Sequence, residues 1–269
     1  LDPVFENSYN LSFDDCLRKN LQLSKSETKF EELFDKIVFL HLPLCFIESF
    51  SIHEKNGERL LPKNVNNIYT ASTSTTFNIW AAKMVNKKSS FNYLQHGGGF
   101  GMTECFSLEY YQRKVSNKFF TWGWQKNKKK DVISPCNILI GRNYFNKSNE
   151  NSKVLWVGHS LPRYSYKISC EPSGALFLDF INDQIKIGKS LSKKNLLKIK
   201  YREYPNKDYD WGQVKRLKDK IPNLKISNPD TPFVHELINS SLCLCFSNST
   251  AFLESINSGT PTLLYLNSK

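Results

Sequence analysis

The feature that most constrains the fold is a glycine-rich loop between an apolar segment and a periodic one. In FNYLQHGGGFGMTE, residues 91–104, the apolar run 91–94 predicts a buried strand, and four glycines follow within five positions. Thr103 and Glu104 then begin a periodic segment, predicted to be helical at its start, that runs to Trp124. A strand, a glycine loop and a helix start leave backbone amides unpaired at the carboxyl edge of a parallel sheet. The helix dipole favours anions at the same place.

Two interpretations of this loop stay open. A tight turn beside a solvated Glu104 is the simpler one, but three consecutive glycines cost backbone entropy and favour a functional loop. In the functional interpretation the glycines let the backbone approach a ligand, while His96 and Glu104 place a base and a carboxylate at the opening. The spacing is neither G-x-G-x-x-G nor a Walker sequence, so the loop identifies no ligand. The glycines concerned are Gly97, Gly98, Gly99 and Gly101.

Composition narrows the class of protein. A formal charge of +12 over 269 residues favours anionic partners such as nucleotide sugars, phosphorylated glycans, a lipid surface or nucleic acid. The seven cysteines are irregularly spaced and contain no C-x-x-C pair, which favours a reducing cytoplasm over a disulfide framework or a zinc site. No apolar run approaches the roughly 20 residues of a membrane helix, so any contact with the inner membrane is expected to be peripheral.

The order of apolar and periodic segments predicts two α/β halves. A strand, a helix and a strand between residues 67 and 94 form a predicted βαβ unit, which implies a parallel sheet. The polar stretch 146–152 is the best linker, so the predicted domains are 1–148 and 149–269. His41, inside the first predicted strand, is interpreted as a core histidine. The predicted strands are 36–47, 67–71, 91–94, 154–157, 196–201, 224–226, 242–246 and 262–266.

Three predicted strand ends in the second half carry polar loops. His159 and Arg163 follow the first of these strands, Arg202 closes the second, and the serine- and threonine-rich stretch 247–250 follows the third. In an open α/β sheet, ligands bind outside the carboxyl ends of the strands, so we expect the three loops to converge.

The stretch 247–250 also begins a predicted helix. The hydroxyls of Ser247, Ser249 and Thr250 would meet a phosphate together with the backbone amides of the first turn. Glu254, one turn further on, would accept a hydrogen bond from a ribose hydroxyl. An ordinary serine or threonine cap with a carboxylate early in the helix is the alternative interpretation.

These motifs resemble those of a known family. Residues 247–261, S-x-S-T-x-x-x-E-S-x-x-x-G-x-P, are similar to the nucleotide-binding end of GT-B glycosyltransferases. Together with QHGGGFG (95–101), FTWGW (120–124) and REYP (202–205), they resemble a transferase family of bacterial surface-polysaccharide gene clusters of leptospiral type. The resemblance covers roughly residues 60–266.

The resemblance implies a GT-B fold, in which two Rossmann-like domains face a central cleft. It also implies glycosyl transfer from a nucleotide sugar to a glycan or glycolipid acceptor, without a metal or cofactor. The serine- and threonine-rich helix start is similar to that of CMP-sugar enzymes, including retaining Kdo transferases, so a CMP-sugar such as CMP-Kdo is the favoured donor. Family members continue past the last strand. The C-terminal end is therefore expected to be truncated. Because this chain also begins with Leu1 rather than Met, we expect it to be a fragment or to be trimmed at both ends.

The expected chemistry offsets the charge of a leaving nucleotide phosphate. Arg163, Arg202 and the hydroxyls of 247–250 would take the place of a cation, and His159 would also bind the donor. His96 or Glu104 would act as base or electrostatic stabiliser. A double displacement would need a carboxylate nucleophile, for which Glu104, Glu109 and Asp208 stay open as candidates. Asp208-Tyr209-Asp210 has the D-x-D spelling but reads as a polar turn.

Two other functions compete with this one. A transferase of glycerol- or ribitol-phosphate units from a CDP-alcohol, of the teichoic-acid type, would release the same nucleotide from the same site. A basic nucleic-acid-binding module would interleave lysine or arginine with aromatics on one face. The basic residues scatter over both halves, so no nucleic-acid partner is expected.

Overall fold

The computed structural model describes residues 12–22, 27–104, 106–133, 153–163, 174–204, 209 and 211–266, and the chain divides into two compact units, 1–94 and 95–269. The expected α/β class with parallel sheets is confirmed, because each strand pairing described below is parallel. The predicted linker at 146–152 lies outside the described residues, so the domain limits 1–148 and 149–269 stay a prediction.

The first unit contains the predicted βαβ motif. Its two strands pair in parallel, with Ile68 opposite Phe91. The intervening helix is capped by Ser74, whose hydroxyl accepts a hydrogen bond from the amide of Phe77. The elements are α1 (Asp15–Lys19), α2 (Lys29–His41), a 3-10 turn (Leu44–Phe46), α3 (Phe50–Leu60), β1 (Asn67–Thr70), α4 (Thr75–Asn86) and β2 (Ser90–Leu94).

The strand predicted at 36–47 is wrong, because most of it belongs to α2 or to the turn that follows. A capping box begins the helix: the Thr28 hydroxyl accepts from the Glu31 amide, and the Glu31 carboxylate accepts from the Thr28 amide. This local signal and the helical spacing of Phe30, Phe34 and Ile37 outweigh the apolar run. His41 is exposed in the last turn, so its assignment to the core is also wrong.

A buried ion pair ties α1 to the end of α2. The guanidinium of Arg18 donates to both carboxylate oxygens of Glu48, each at 2.7 Å. Its remaining amino group donates to the carbonyls of Phe39 and Leu42. These hydrogen bonds from Arg18 lower the pKa of Glu48 to about 2. The pair therefore stays charged at neutral pH and fixes the connection between the two helices.

The second unit opens with the glycine loop, followed by α5 (Ser107–Val115), β3 (Lys118–Thr121) and β4 (Asp131–Ile133). The helix predicted to start at Thr103 begins four residues later, because the amides of Met102 and Thr103 both turn back onto the Gly99 carbonyl. β3 and β4 pair in parallel, with Phe120 opposite Val132.

A five-stranded parallel sheet forms the rest of this unit, in the order β7-β6-β5-β8-β9. The strands are β5 (Val154–Val157), β6 (Ile199–Arg202), β7 (Lys225–Ile226), β8 (Leu242–Cys245) and β9 (Thr262–Leu264). The helices are α6 (Leu176–Ser190), α7 (Lys193–Leu196), α8 (Gln213–Lys220), α9 (Phe233–Ile238) and α10 (Thr250–Asn257).

Both faces of this sheet are buried. Trp156 of β5 packs into one apolar cluster with Tyr201 and Leu217, whereas its neighbours Leu155 and Val157 pack into another. Successive strand side chains point to opposite faces, so the two clusters lie on opposite sides of the sheet. Cys243 and Cys245 are buried in the second cluster, as expected of thiols that behave as small hydrophobes.

Candidate functional site

The sheet order brings three polar strand ends to one edge. β5 is the central strand and pairs with both β6 and β8, so Val157 lies opposite both Arg202 and Cys245. The residues that follow these strands therefore leave the sheet side by side at its carboxyl edge. This edge is where a parallel α/β sheet binds ligands.

The helix that follows β8 begins without a side-chain cap. Ser249 occupies the N-cap position with extended backbone, but it makes no capping hydrogen bond. The interpretation of Ser249 as an ordinary cap is therefore not realised. The Phe252 amide donates to the Ser249 carbonyl at 3.1 Å, so the amides of Thr250 and Ala251 are the ones left for another acceptor among the described residues. The positive end of the helix dipole lies at the same point.

The glycine loop packs directly on the start of α10. The Gly98 amide donates to Oγ1 of Thr250 at 3.1 Å, and the Gly99 amide donates to the Asn248 carbonyl at 3.0 Å. A Cβ atom on Gly98 would overlap the backbone of Asn248 and Ser249. The close approach of the two backbones thus explains why residue 98 is a glycine. The amides of Gly98 and Gly99 already donate hydrogen bonds within the protein.

The other end of the loop is anchored by Glu109. This carboxylate accepts from the Gly101 amide at 2.7 Å and pairs with Arg113 at 3.3 Å and Lys126 at 3.1 Å. Gly101 has a positive φ of 75° and lies against the ring of Trp124. The structure therefore gives Glu109, a candidate nucleophile in the sequence, the contacts of a buried anchor.

Gln95 is a central residue that the sequence did not single out. Its Nε2 donates to the Gly97 carbonyl, and its Oε1 accepts from the Trp122 amide and from Nε1 of Trp124. The side chain is 1% exposed. It links the glycine loop to the Thr-Trp-Gly-Trp turn, which supports the interpretation of that turn as packed structure. The sequence feature that could have identified Gln95 is its position as a polar residue directly after the apolar strand 91–94.

His96 and Glu104, the predicted catalytic residues, are both exposed. The His96 ring meets the ring of Phe100 edge to face at 5.1 Å between centroids. Partial desolvation by its neighbours lowers the pKa of His96 below the usual value, so the ring is neutral at physiological pH. Glu104 lies in the bend before α5. Both side chains are accessible to a substrate.

His159 lies just past the end of β5, with its ring against Phe180. Its Nε2 atom is buried, and no hydrogen-bond partner for it occurs among the described residues. Burial lowers the pKa of His159 to about 4, so the side chain is neutral at pH 7. The side-chain Nε2 of Gln213 donates to the backbone carbonyl of His159 and fixes the backbone at that position.

The two predicted phosphate-binding arginines differ in their surroundings. Nη1 of Arg202 donates to Glu236 at 2.6 Å and to the Thr231 carbonyl at 2.8 Å, so its charge is offset within the protein. Arg163 is exposed, and its guanidinium lies 5.7 Å from the centre of the Trp211 ring. Of the two, Arg163 is the more accessible cation.

Two further predicted donor-site residues lie along the same segment. Ser247 is half-buried in the loop after β8. Glu254, in the second turn of α10, is also half-buried, and burial raises the pKa of its carboxyl group.

Neither a metal cluster nor a membrane-spanning helix occurs in the part of the chain that the structure describes. No group of three or more His, Cys, Asp or Glu residues lies close enough there to hold a metal ion. Asp208, the remaining candidate nucleophile, and Asp210 of the D-x-D sequence lie outside the described residues. None of the described helices is both long and apolar enough to cross a bilayer.

The fold and this edge define an α/β protein with parallel sheets whose polar loops gather at the carboxyl ends of the strands. The chain belongs to the LIC12162 family of transferases, whose model matches residues 4–269. The expected membership in a transferase family is thereby confirmed. A search of the curated proteins found no significant match.

The solved structures to which the chain is similar include three proteins. MurG of Acinetobacter baumannii gives a TM-score of 0.45 at 11% identity, covering 82% of this chain and 56% of its own. A trehalose-6-phosphate synthase gives a TM-score of 0.48 at 10% identity, and the match covers 84% of this chain and 64% of the synthase. A UDP co-structure of MnaA from S. aureus gives a TM-score of 0.46 at 14% identity, and the match covers 81% of this chain and 60% of MnaA. The chain thus spans 56% to 64% of the length of these proteins.

Proposed function

We propose that this transferase is a metal-independent glycosyltransferase of the GT-B type, which moves a sugar from a nucleotide-activated donor to a glycan or glycolipid. The observation that carries the proposal is the uncapped start of α10, at the carboxyl end of β8 and beside the central strand. Such a helix start binds phosphate through its free amides and its dipole.

The donor phosphate is proposed to bind at Thr250. The Thr250 hydroxyl accepts from Gly98, which leaves its own hydrogen to donate to an anionic oxygen. Ser247 and Ser249 add hydroxyls, and Glu254 accepts from the ribose. Fixed donors of this kind stabilise the negative charge that develops on the leaving phosphate.

Charged and buried residues at the neighbouring strand ends complete the donor site. The exposed Arg163 offsets the phosphate charge, and Arg202, which also pairs with Glu236, contributes to it. The unpartnered Nε2 of His159 binds a polar group of the donor. An unsatisfied buried polar atom is costly, so a ligand that satisfies it gains affinity.

The acceptor hydroxyl is proposed to lose its proton to His96. A neutral, exposed imidazole with a lowered pKa is able to accept a proton at physiological pH. Glu104 stabilises the resulting positive charge. The glycine loop, held on the start of α10 through Gly98, keeps this acceptor side next to the donor side.

The favoured donor is a CMP-sugar such as CMP-Kdo, and the favoured acceptor is a growing surface polysaccharide or lipopolysaccharide. The proposed location is the cytoplasm, with peripheral contact at the inner membrane. This donor assignment follows from the resemblance of residues 247–261 to CMP-sugar enzymes. No nucleic-acid partner is proposed, because the basic residues scatter over both halves of the sequence.

A nucleotide panel tests this proposal. CMP, UMP and GMP are added separately to the full chain, and the thermal midpoint is measured with and without EDTA. We expect CMP to raise the midpoint in both conditions. Stabilisation by UMP alone would move the donor to the UDP-sugars, and no response to any nucleotide would remove the site.

Turnover separates the reaction classes. The protein is incubated with CMP-Kdo, UDP-sugars or CDP-glycerol, together with a lipopolysaccharide acceptor, and nucleotide release is measured. Release from CMP-Kdo supports the proposal. Release from CDP-glycerol alone would instead assign a phosphotransferase of the teichoic-acid type.

A further inference from the structure

Helix α5 is inverted relative to an ordinary surface helix. Its buried positions are polar: Glu109 and Gln112 are 5% and 4% exposed. Its outward side chains are apolar or aromatic: Leu108, Tyr110, Tyr111 and Val115 are 38%, 70%, 50% and 41% exposed. A surface helix normally turns its apolar stripe to the core. We call the four outward residues the docking face.

The inversion is fixed by contacts on the inner side. Glu109 holds the Gly101 amide, and Arg113 pairs with Asp131 at 3.0 Å. The same Asp131 oxygen also accepts from the amides of Lys126 and Asn127. Rotating the helix to bury its apolar residues would break this network, so the fold keeps the docking face in solvent.

A strongly basic turn packs against α5 through Glu109 and Arg113, which contact Lys126 and Asp131. Residues 107–133 contain seven basic residues and two carboxylates, and both carboxylates, Glu109 and Asp131, are buried and ion-paired. Nζ of Lys118 donates to the Lys129 carbonyl at 2.6 Å, which holds residues 126–130, the lysine turn, against the start of β3. The exposed lysines here are Lys114, Lys118, Lys126, Lys128 and Lys129.

We propose that the docking face and the lysine turn form a binding surface for an anionic lipid bilayer. Tyrosine side chains prefer the headgroup region, Leu108 and Val115 reach the acyl boundary, and the lysines attract anionic headgroups. The excess of positive charge, with no exposed carboxylate in residues 107–133, selects an anionic partner. It also opposes self-association, since a second copy would present the same basic surface.

The inference rests on the proposed function in one respect, because a membrane-borne acceptor gives the surface its purpose. Vesicle binding is nevertheless measured without donor or acceptor. Failure of the docking surface and failure of the donor site are therefore distinguishable: the first abolishes vesicle binding, whereas the second abolishes the response to nucleotides.

Vesicle flotation of the full chain tests the proposal. Phosphatidylcholine vesicles with and without phosphatidylglycerol are compared at low and high salt. We expect binding only with phosphatidylglycerol, reduced by salt. The double variants Tyr110→Ser with Tyr111→Ser, and Lys128→Glu with Lys129→Glu, are each expected to weaken binding by about tenfold or more.

Matched controls alter exposed residues elsewhere on the same unit. Leu176→Ser with Leu178→Ser removes exposed apolar side chains from α6, and Lys193→Glu with Lys194→Glu reverses two exposed charges on α7. Both controls are expected to bind vesicles like the wild type. Circular dichroism melting verifies that every variant is folded.

Three outcomes would overturn the proposal. The wild type fails to float with phosphatidylglycerol vesicles, or the docking-face and lysine-turn variants bind as well as the controls. Alternatively, light scattering shows a dimer that Tyr110→Ser with Tyr111→Ser dissociates, which would assign the face to a second copy of the chain.

Discussion

The backbone amide of Gly98 donates a hydrogen bond to Oγ1 of Thr250, although the two residues are 152 positions apart in the sequence. The contact joins the two motifs that the sequence marks as functional. It orients the threonine hydroxyl at the start of α10 and accounts for the glycine at position 98. Three predictions test the contact and its surroundings, and two test groups with other roles.

Gly98→Ala is expected to destabilise the protein by roughly 2–3 kcal/mol, because its Cβ atom would overlap the backbone of Asn248 and Ser249. Urea unfolding measures the effect. Gly174→Ala is the control: its φ of 56° is unfavourable for alanine, but no atom of the described residues lies within 4 Å of the added Cβ. It is expected to cost only about 1 kcal/mol. Equal losses would mean that the close approach at Gly98 is unimportant.

Thr250→Val keeps the shape of the side chain and removes its hydroxyl. We expect a loss of about 1 kcal/mol in unfolding free energy, since the Gly98 amide loses its acceptor, and about tenfold weaker nucleotide binding by calorimetry. Thr250→Ser retains the hydroxyl and should bind like the wild type. A Thr250→Val protein that is less stable but binds nucleotide normally would confine Thr250 to a structural role.

Gln95→Met is expected to cost about 3 kcal/mol, because it leaves the Gly97 carbonyl and two tryptophan N–H groups without partners in a buried place. Gln112→Met is the matched control. Gln112 is also buried, but its Oε1 has no partner among the described residues, so its replacement should be neutral or stabilising. Similar destabilisation of both variants would contradict the assigned role of Gln95.

Glu48→Gln tests the buried pair with Arg18. The folded pKa of Glu48, about 2, lies below its ordinary value of 4.5. Its stabilising effect is therefore present above about pH 4.5 and is lost as the pH falls toward about 2. The variant should unfold at lower urea concentration than the wild type at pH 7, and the two should converge in acid. Glu58→Gln, at an exposed ion pair, should change little at any pH.

Glu104→Gln tests the acceptor side. Glu104 is exposed, so the substitution should leave the thermal midpoint unchanged. We expect turnover to fall by roughly 10²-fold with little change in nucleotide affinity, and the same for His96→Gln. Full activity of either variant would clear that residue of a chemical role.

Local patterns were sufficient for the five strands between residues 154 and 264, whereas β3 and β4 were not among the predicted strands. The apolar runs that became β5, β6 and β8 are short and bounded by polar loops, and a strand buried on both faces has that composition. The βαβ motif of residues 67–94 followed from the same reasoning. The serine- and threonine-rich start of α10 was also visible, because helix starts carry short-range signals.

Local patterns gave a wrong prediction, or none, where a specific hydrogen bond determined the structure. The apolar run 36–47 looked like a strand until the capping box of Thr28 and Glu31 placed most of it in a helix. No local pattern marked Gln95 or Glu109 as buried anchors, since their partners are backbone and indole groups brought close only by folding.

The sequence by itself determined the α/β class, the strand ends that carry polar loops, and the residue types available for binding phosphate. These depend on periodicity and on residues adjacent in the chain. Only the tertiary structure decided that Gly98 meets Thr250, that Arg202 is already paired with Glu236, and that α5 turns its apolar face outward. Each of these depends on groups far apart in sequence, whose approach is set by the packing of the whole unit.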